Sequence, residues 1–81
     1  MRGNYEIKKR KMRELLRDLR KNAGIKQVEL AARLKKPQSF VSKFESGEKN
    51  LDLLEVREIC KVLEIPFIDF IQRLEEKFDE S

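Results

Sequence analysis

Apolar residues in this chain recur at intervals of three and four and nowhere alternate with a period of two over a useful length. That spacing serves a helix with one buried face and does not serve a strand. The periodic stretches are short and separated by Gly or Pro, so the expected fold is all-α, a compact bundle of five helices. The first is expected from about Tyr5 to Ala23, with Met12, Leu15, Leu16, Leu19 and Ala23 on the buried stripe and Gly24 as the stop. The second covers about Gln27 to Leu34, with Val28, Leu30, Ala31 and Leu34 apolar, and Pro37 cannot continue it. Pro37 is suited instead to open a third helix that runs to about Ser46, buries Phe40, Val41 and Phe44, and stops at Gly47.

The fourth helix has the clearest start signal. Asp52 and Glu55 are spaced as a capping box, and Leu51 and Val56 hold the two positions of a hydrophobic staple. Its core face is read as Leu53, Val56, Ile59, Cys60 and Leu63. Pro66 begins a fifth helix with Phe67, Phe70, Ile71, Leu74 and Phe78 along one face, followed by a frayed acidic tail over 75–81. Leu, Ile, Val and Phe together are 25 of 81 residues, about 31%, clear of the roughly 20% below which disorder is expected. A chain of 81 residues with no internal linker is one domain, 1–81, with a helix-turn-helix at about 27–46.

Several functions are excluded by what the sequence lacks. A lone Cys60 cannot form an intrachain disulfide, and without histidine a zinc site would need carboxylates and one thiol, so no metal or other cofactor is expected and the compartment is read as cytoplasmic. No apolar run is long enough to cross a membrane, and no secretory leader is expected. There is no Gly-rich phosphate loop and no nucleophile elbow, so the chain is read as not an enzyme.

Charge is distributed unevenly. Residues 1–36 carry 13 Lys or Arg against 4 Asp or Glu, whereas residues 51–81 carry 4 against 9. Like charges crowded into one half repel one another, which is more easily understood if that half meets a polyanion. The third helix sharpens this. Once its core stripe is subtracted, Gln38, Ser39, Ser42, Lys43 and Ser46 face outward without a carboxylate. Gln suits adenine bidentately, Lys suits the guanine acceptors and Ser suits either, so this face can read bases in a major groove.

Most of the chain, from Leu16 to Leu74, resembles the Cro and repressor (XRE) family of helix-turn-helix transcription regulators, through "LRKNAGIKQVELAARL", "PQSFVSKFESGEKNLD" and "ICKVLEIPFIDFI". The resemblance implies a five-helix bundle of the lambda repressor-like DNA-binding type. It implies base contacts from Gln38, Ser39, Ser42 and Lys43, and a phosphate role for Gln27, which also braces Gln38. Lys49 and Asn50, in the loop after the recognition helix, inherit a backbone-gripping role. Arg20 and Glu45 stand where the family places a structural ion pair.

Three positions depart from the family pattern. Lys26 replaces the usual capping Thr, Ser or Asn, Lys35 sits where the turn prefers Gly, and Glu64 takes another common Gly position. Each is expected to cost stability, while Lys26 and Lys35, with neighbouring Lys36, add phosphate affinity. Leu74 and Phe78 extend beyond what a small bundle is expected to cover, which suggests a two-fold dimer through them and a palindromic operator in double-stranded DNA. The expected function is a sequence-specific, dimeric repressor or autoregulator of a small bacterial or phage operon, nucleoid-associated when bound. Restriction-modification controllers and antitoxins with a protein partner are its variants, and an adaptor that uses the fold without reading DNA is the alternative. With no room for a ligand-sensing domain, control by the protein's own concentration or by a partner is expected rather than control by a small effector.

Overall fold

A computed structural model describes residues 2–79, with the backbone alone for Arg2. Among them are five α-helices and no strand: α1 Arg2–Asn22, α2 Gln27–Leu34, α3 Gln38–Ser46, α4 Leu53–Val62 and α5 Phe67–Asp79. One core joins them, centred on the fully buried Leu16, Leu30, Val41, Phe44, Ile59 and Phe70.

The helix ends follow local chemistry. Three helices close with the same pair of backbone bonds, in which an N–H one residue past a left-handed position reaches back five residues. Ile25 donates to the Arg20 carbonyl, Lys36 to that of Ala31 and Ile65 to that of Cys60. The left-handed residues are Gly24, Lys35 and Glu64, with φ of 73°, 58° and 59°, so two of the three are side-chain-bearing residues in a conformation that costs them roughly 1–2 kcal/mol. Lys26 provides no side-chain cap to α2. Asp52 and Glu55 form the complete capping box of α4, through bonds of 2.7 and 2.9 Å between each side chain and the other's backbone N–H.

Several expected positions are corrected. The first helix begins at Arg2 rather than Tyr5 and ends before Ala23, which is exposed. Its early turns lie along α5, where Lys11 Nζ donates to the Lys77 carbonyl at 2.9 Å. The acidic tail is helical through Asp79, while Glu80 and Ser81 lie outside the described residues. Pro37 is the cap before α3, not its first residue. Leu53, the first residue of α4, projects past the edge of the bundle and is 66% exposed, so the core face starts at Val56. Val28 and Ile71 are exposed, and Phe40 is partly rather than fully buried. Leu74 packs against the core and Phe78 is half-buried with Lys8 Nζ over its ring, so α1, laid along α5, covers part of what the bundle was expected to leave bare.

Candidate nucleic-acid interface

The α2 and α3 helices pack against each other across the turn 35–37, and their mutual placement is fixed by a buried polar network. Arg20, near the end of α1, donates from Nε to Glu45 Oε2 at 2.6 Å, from Nη2 to Glu45 Oε1 at 3.0 Å, and from Nη1 to the Ile25 carbonyl at 2.8 Å. Gln27, the first residue of α2, donates from Nε2 to Glu45 Oε1 at 2.9 Å. The Arg20 and Glu45 side chains are only 8% and 4% exposed, so this pair interacts in a low-dielectric setting where each guanidinium nitrogen has an acceptor. The network joins α1, the α1–α2 loop, α2 and α3 through one carboxylate. The Gln27 amide nitrogen faces Glu45 rather than Gln38, and no hydrogen bond links Gln27 to Gln38.

With Val41 and Phe44 buried, Phe40 packed against the core and Glu45 turned to Arg20, the remaining α3 side chains face solvent. Gln38, Ser39, Lys43 and Ser46 are exposed and Ser42 is half-exposed. The Ser42 and Ser46 hydroxyls donate to the carbonyls of Ser39 and Lys43, at 3.3 and 3.1 Å. The side chains of Gln38 and Lys43 carry no intramolecular hydrogen bond among those of the described residues, and they extend from opposite edges of this face. The face holds no carboxylate, which is what approach to phosphates demands.

Cations flank it. Lys26, Lys35 and Lys36 are exposed at the start of α2 and in the turn, and Asn50 is exposed in the loop after α3. Lys36 Nζ and Lys49 Nζ lie 5.5 and 5.4 Å from the centre of the Phe40 ring. Phe40 therefore serves as a platform that places two lysines beside the recognition surface. That role is absent from the expected core stripe, although the four-residue spacing of Lys36 and Phe40 is its sequence signal. Lys49 also sits 3.6 Å from Glu55, so part of its charge is balanced within the protein. Arg13 also lies here, and nothing in the sequence signals it: a Cβ on Gly47, whose φ is 94°, would lie 2.9 Å from the Arg13 guanidinium carbon. The glycine lets a cation from α1 lie against the end of α3.

A helix pair built and held in this way is the helix-turn-helix of DNA-binding transcription regulators, and that is the class the fold defines. A family model described as helix-turn-helix matches residues 16–70. Among solved structures, the chain is similar to an XRE-family like protein from Pseudomonas syringae pv. tomato str. DC3000, with a TM-score of 0.87 and 37% identity over 93% of this chain and 92% of that one. It also shares its fold with the clp gene regulator ClgR from Corynebacterium glutamicum, with a TM-score of 0.78 and 19% identity over 89% and 77% of the two chains. No curated protein sequence matches. The chain belongs to the XRE-type helix-turn-helix family. Among the described residues, no helix is long and apolar enough to cross a membrane.

Proposed function

We propose that this protein is a sequence-specific repressor or autoregulator that binds a palindromic operator as a homodimer, with α3 in the major groove. Gln38, Ser39, Ser42 and Lys43 contact base edges, and Lys26, Gln27, Lys35, Lys36, Lys49 and Asn50 hold the phosphate backbone. The observation that carries the reading is the acid-free outward face of α3, whose single carboxylate is turned inward and paired with Arg20. A solvated helix face with no binding task would ordinarily mix in Asp or Glu.

Gln27 retains its carbonyl oxygen and one N–H beyond the bond to Glu45, so its phosphate role runs through that remaining N–H. The dimer contact follows the edge of α5, where Ile71 is 38% exposed and Leu74 and Phe78 keep partial exposure beside it. Control of a small bacterial or phage operon is the setting that suits a domain of this size and family.

The test is selection of bound sequences from random duplex DNA at fixed near-physiological salt, repeated with Gln38→Ala and Lys43→Ala together. A two-fold symmetric site whose specificity is lost in the double variant is the expected result. Each good base contact is worth about 1–3 kcal/mol of discrimination. Binding that is weak, independent of sequence and abolished by salt would reduce the basic half to a general polyanion surface.

A further inference from the structure

A cavity of about 380 Å³ opens between the early turns of α1, the loop after α3 and the end of α5. Small-molecule sites span about 300–1,000 Å³. The apolar part of its wall is Met12, Leu51, Phe78 and the ring of Tyr5. The charged part is four cations, Lys8, Lys9, Arg13 and Lys49. No carboxylate lines it among the described residues, in a chain where 15 of 81 residues are acidic. Lys8 Nζ lies 5.5 Å from the centre of the Phe78 ring and Lys9 Nζ 4.6 Å from that of Tyr5, so the rings hold two ammonium groups at the wall. Lys9 and Lys49 are partly balanced from outside the cavity by Glu6 at 3.9 Å and Glu55 at 3.6 Å, whereas Lys8 and Arg13 have no ion pair among the described residues, so the concavity, backed by apolar side chains, keeps a positive field.

We propose that this cavity binds an amphipathic small anion, an aromatic carboxylate or sulfonate. Its ring lies against Met12, Leu51 and Phe78, and its charged head lies among Arg13, Lys49 and the α1 lysines. Neither half of the site suffices alone. Inorganic phosphate has no body for the apolar wall, and a neutral aromatic leaves Lys8 and Arg13 without a counter-charge. Lys49 and Asn50 belong both to this cavity and to the loop assigned above to the DNA backbone. An anion seated here therefore competes with DNA for that loop. The competition rests on the proposed DNA reading; the binding does not. Control by a small effector thus needs no separate sensing domain.

The test uses the full chain, labelled with ¹⁵N and titrated at fixed salt with naphthalene-2-sulfonate, with neutral naphthalene-2-methanol and with inorganic phosphate. The sulfonate is expected to move the amides of 8–13, 47–51 and Phe78 saturably, and to bind at least about tenfold more tightly than either control. Lys8→Gln, at an exposed position, and Arg13→Gln should each weaken it severalfold while the remaining spectrum keeps its dispersion. Equal affinity for the neutral ring or for phosphate, or shifts centred elsewhere, overturns the site. In a second arm the sulfonate is added to protein bound to its selected duplex, where a rising apparent Kd is expected. Cavity binding that leaves duplex affinity unchanged overturns the competition. A chain that selects no DNA sequence refutes the DNA reading, and the titration still decides the cavity.

Discussion

Arg20 and Glu45 meet side by side through bonds of 2.6 and 3.0 Å, both nearly removed from water, and the same carboxylate also accepts from Gln27. One ion pair thus sets how α3 leaves the bundle. Arg20→Met strands a buried carboxylate and is expected to cost about 3–5 kcal/mol, whereas Arg20→Met combined with Glu45→Leu costs clearly less because no charge is left unpaired. Urea unfolding of the three proteins checks this. Equal losses in the single and double variants would show that packing, not charge, holds the joint.

Lys35 and Glu64 share a left-handed backbone, with φ of 58° and 59°, yet only Lys35 lies beside the recognition surface. Glycine relieves the strain in the folded state and gives back part of it as unfolded-chain entropy, leaving an expected gain of about 0.5–1 kcal/mol at either site. The two variants should separate in DNA binding. Glu64→Gly leaves duplex affinity unchanged, and Lys35→Gly lowers it. A parallel effect of both on affinity would mean that stability, not a phosphate contact, governs binding.

The salt dependence of DNA binding counts the phosphates engaged, at about 0.9 in slope for each. Lys26, Lys35 and Lys36 are all exposed, and replacing the three by Gln is expected to flatten the plot of log affinity against log salt by roughly 2–3. Fluorescence anisotropy at five or more salt concentrations measures it. An unchanged slope removes these lysines from the interface.

Periodicity and punctuation place every helix, because the stops at Gly24 and Gly47 and the Asp52–Glu55 box are local chemistry that acts wherever it occurs. The Arg20–Glu45 pair was legible only through the family resemblance, since nothing in the spacing of two residues 25 apart predicts contact. The misses share one cause. Leu53, Val28 and Ile71 sit in apolar patterns, but burial depends on whether a neighbouring element reaches them, and that is a tertiary fact. Ile25 shows the converse. It is buried in a loop outside any periodic stretch, following the left-handed Gly24 at the position where such helix ends carry an apolar residue. The cavity was invisible for the same reason, since its wall joins α1, the loop after α3 and the end of α5, which are distant in sequence.

Burial raises the Cys60 thiol from its usual 9.0 to about 11. Below pH 9 the thiol is protonated in both states and carries no penalty. Between pH 9 and 11 the unfolded chain releases the proton while the folded one keeps it, so stability falls across that window by about 2–3 kcal/mol. The measurement is the difference between the protein and Cys60→Ala, unfolded in urea at pH 8.5 and 10.5, which isolates the thiol. The wild-type advantage should shrink on going to the higher pH. A constant difference would mean that Cys60 ionises alike in both states.

Two recognition helices reading a palindrome must stand about 34 Å apart, one turn of DNA, which requires a rigid two-fold contact. Phe78 is half-buried against α1, so charging it would disturb the fold together with the proposed dimer. Ile71 offers a cleaner probe because it is 38% exposed on α5 near that edge. Ile71→Asp is expected to keep the helical signal and the melting temperature of a monomer at low concentration while sedimenting as a monomer where the wild type is dimeric. On a palindromic duplex it should lose affinity steeply, since the second half-site no longer adds to the first. A variant that sediments like the wild type would move the two-fold contact off this face of α5. The exposed Leu53 and Leu54 at the start of α4, 66% and 70% accessible, would then be the next side chains to charge.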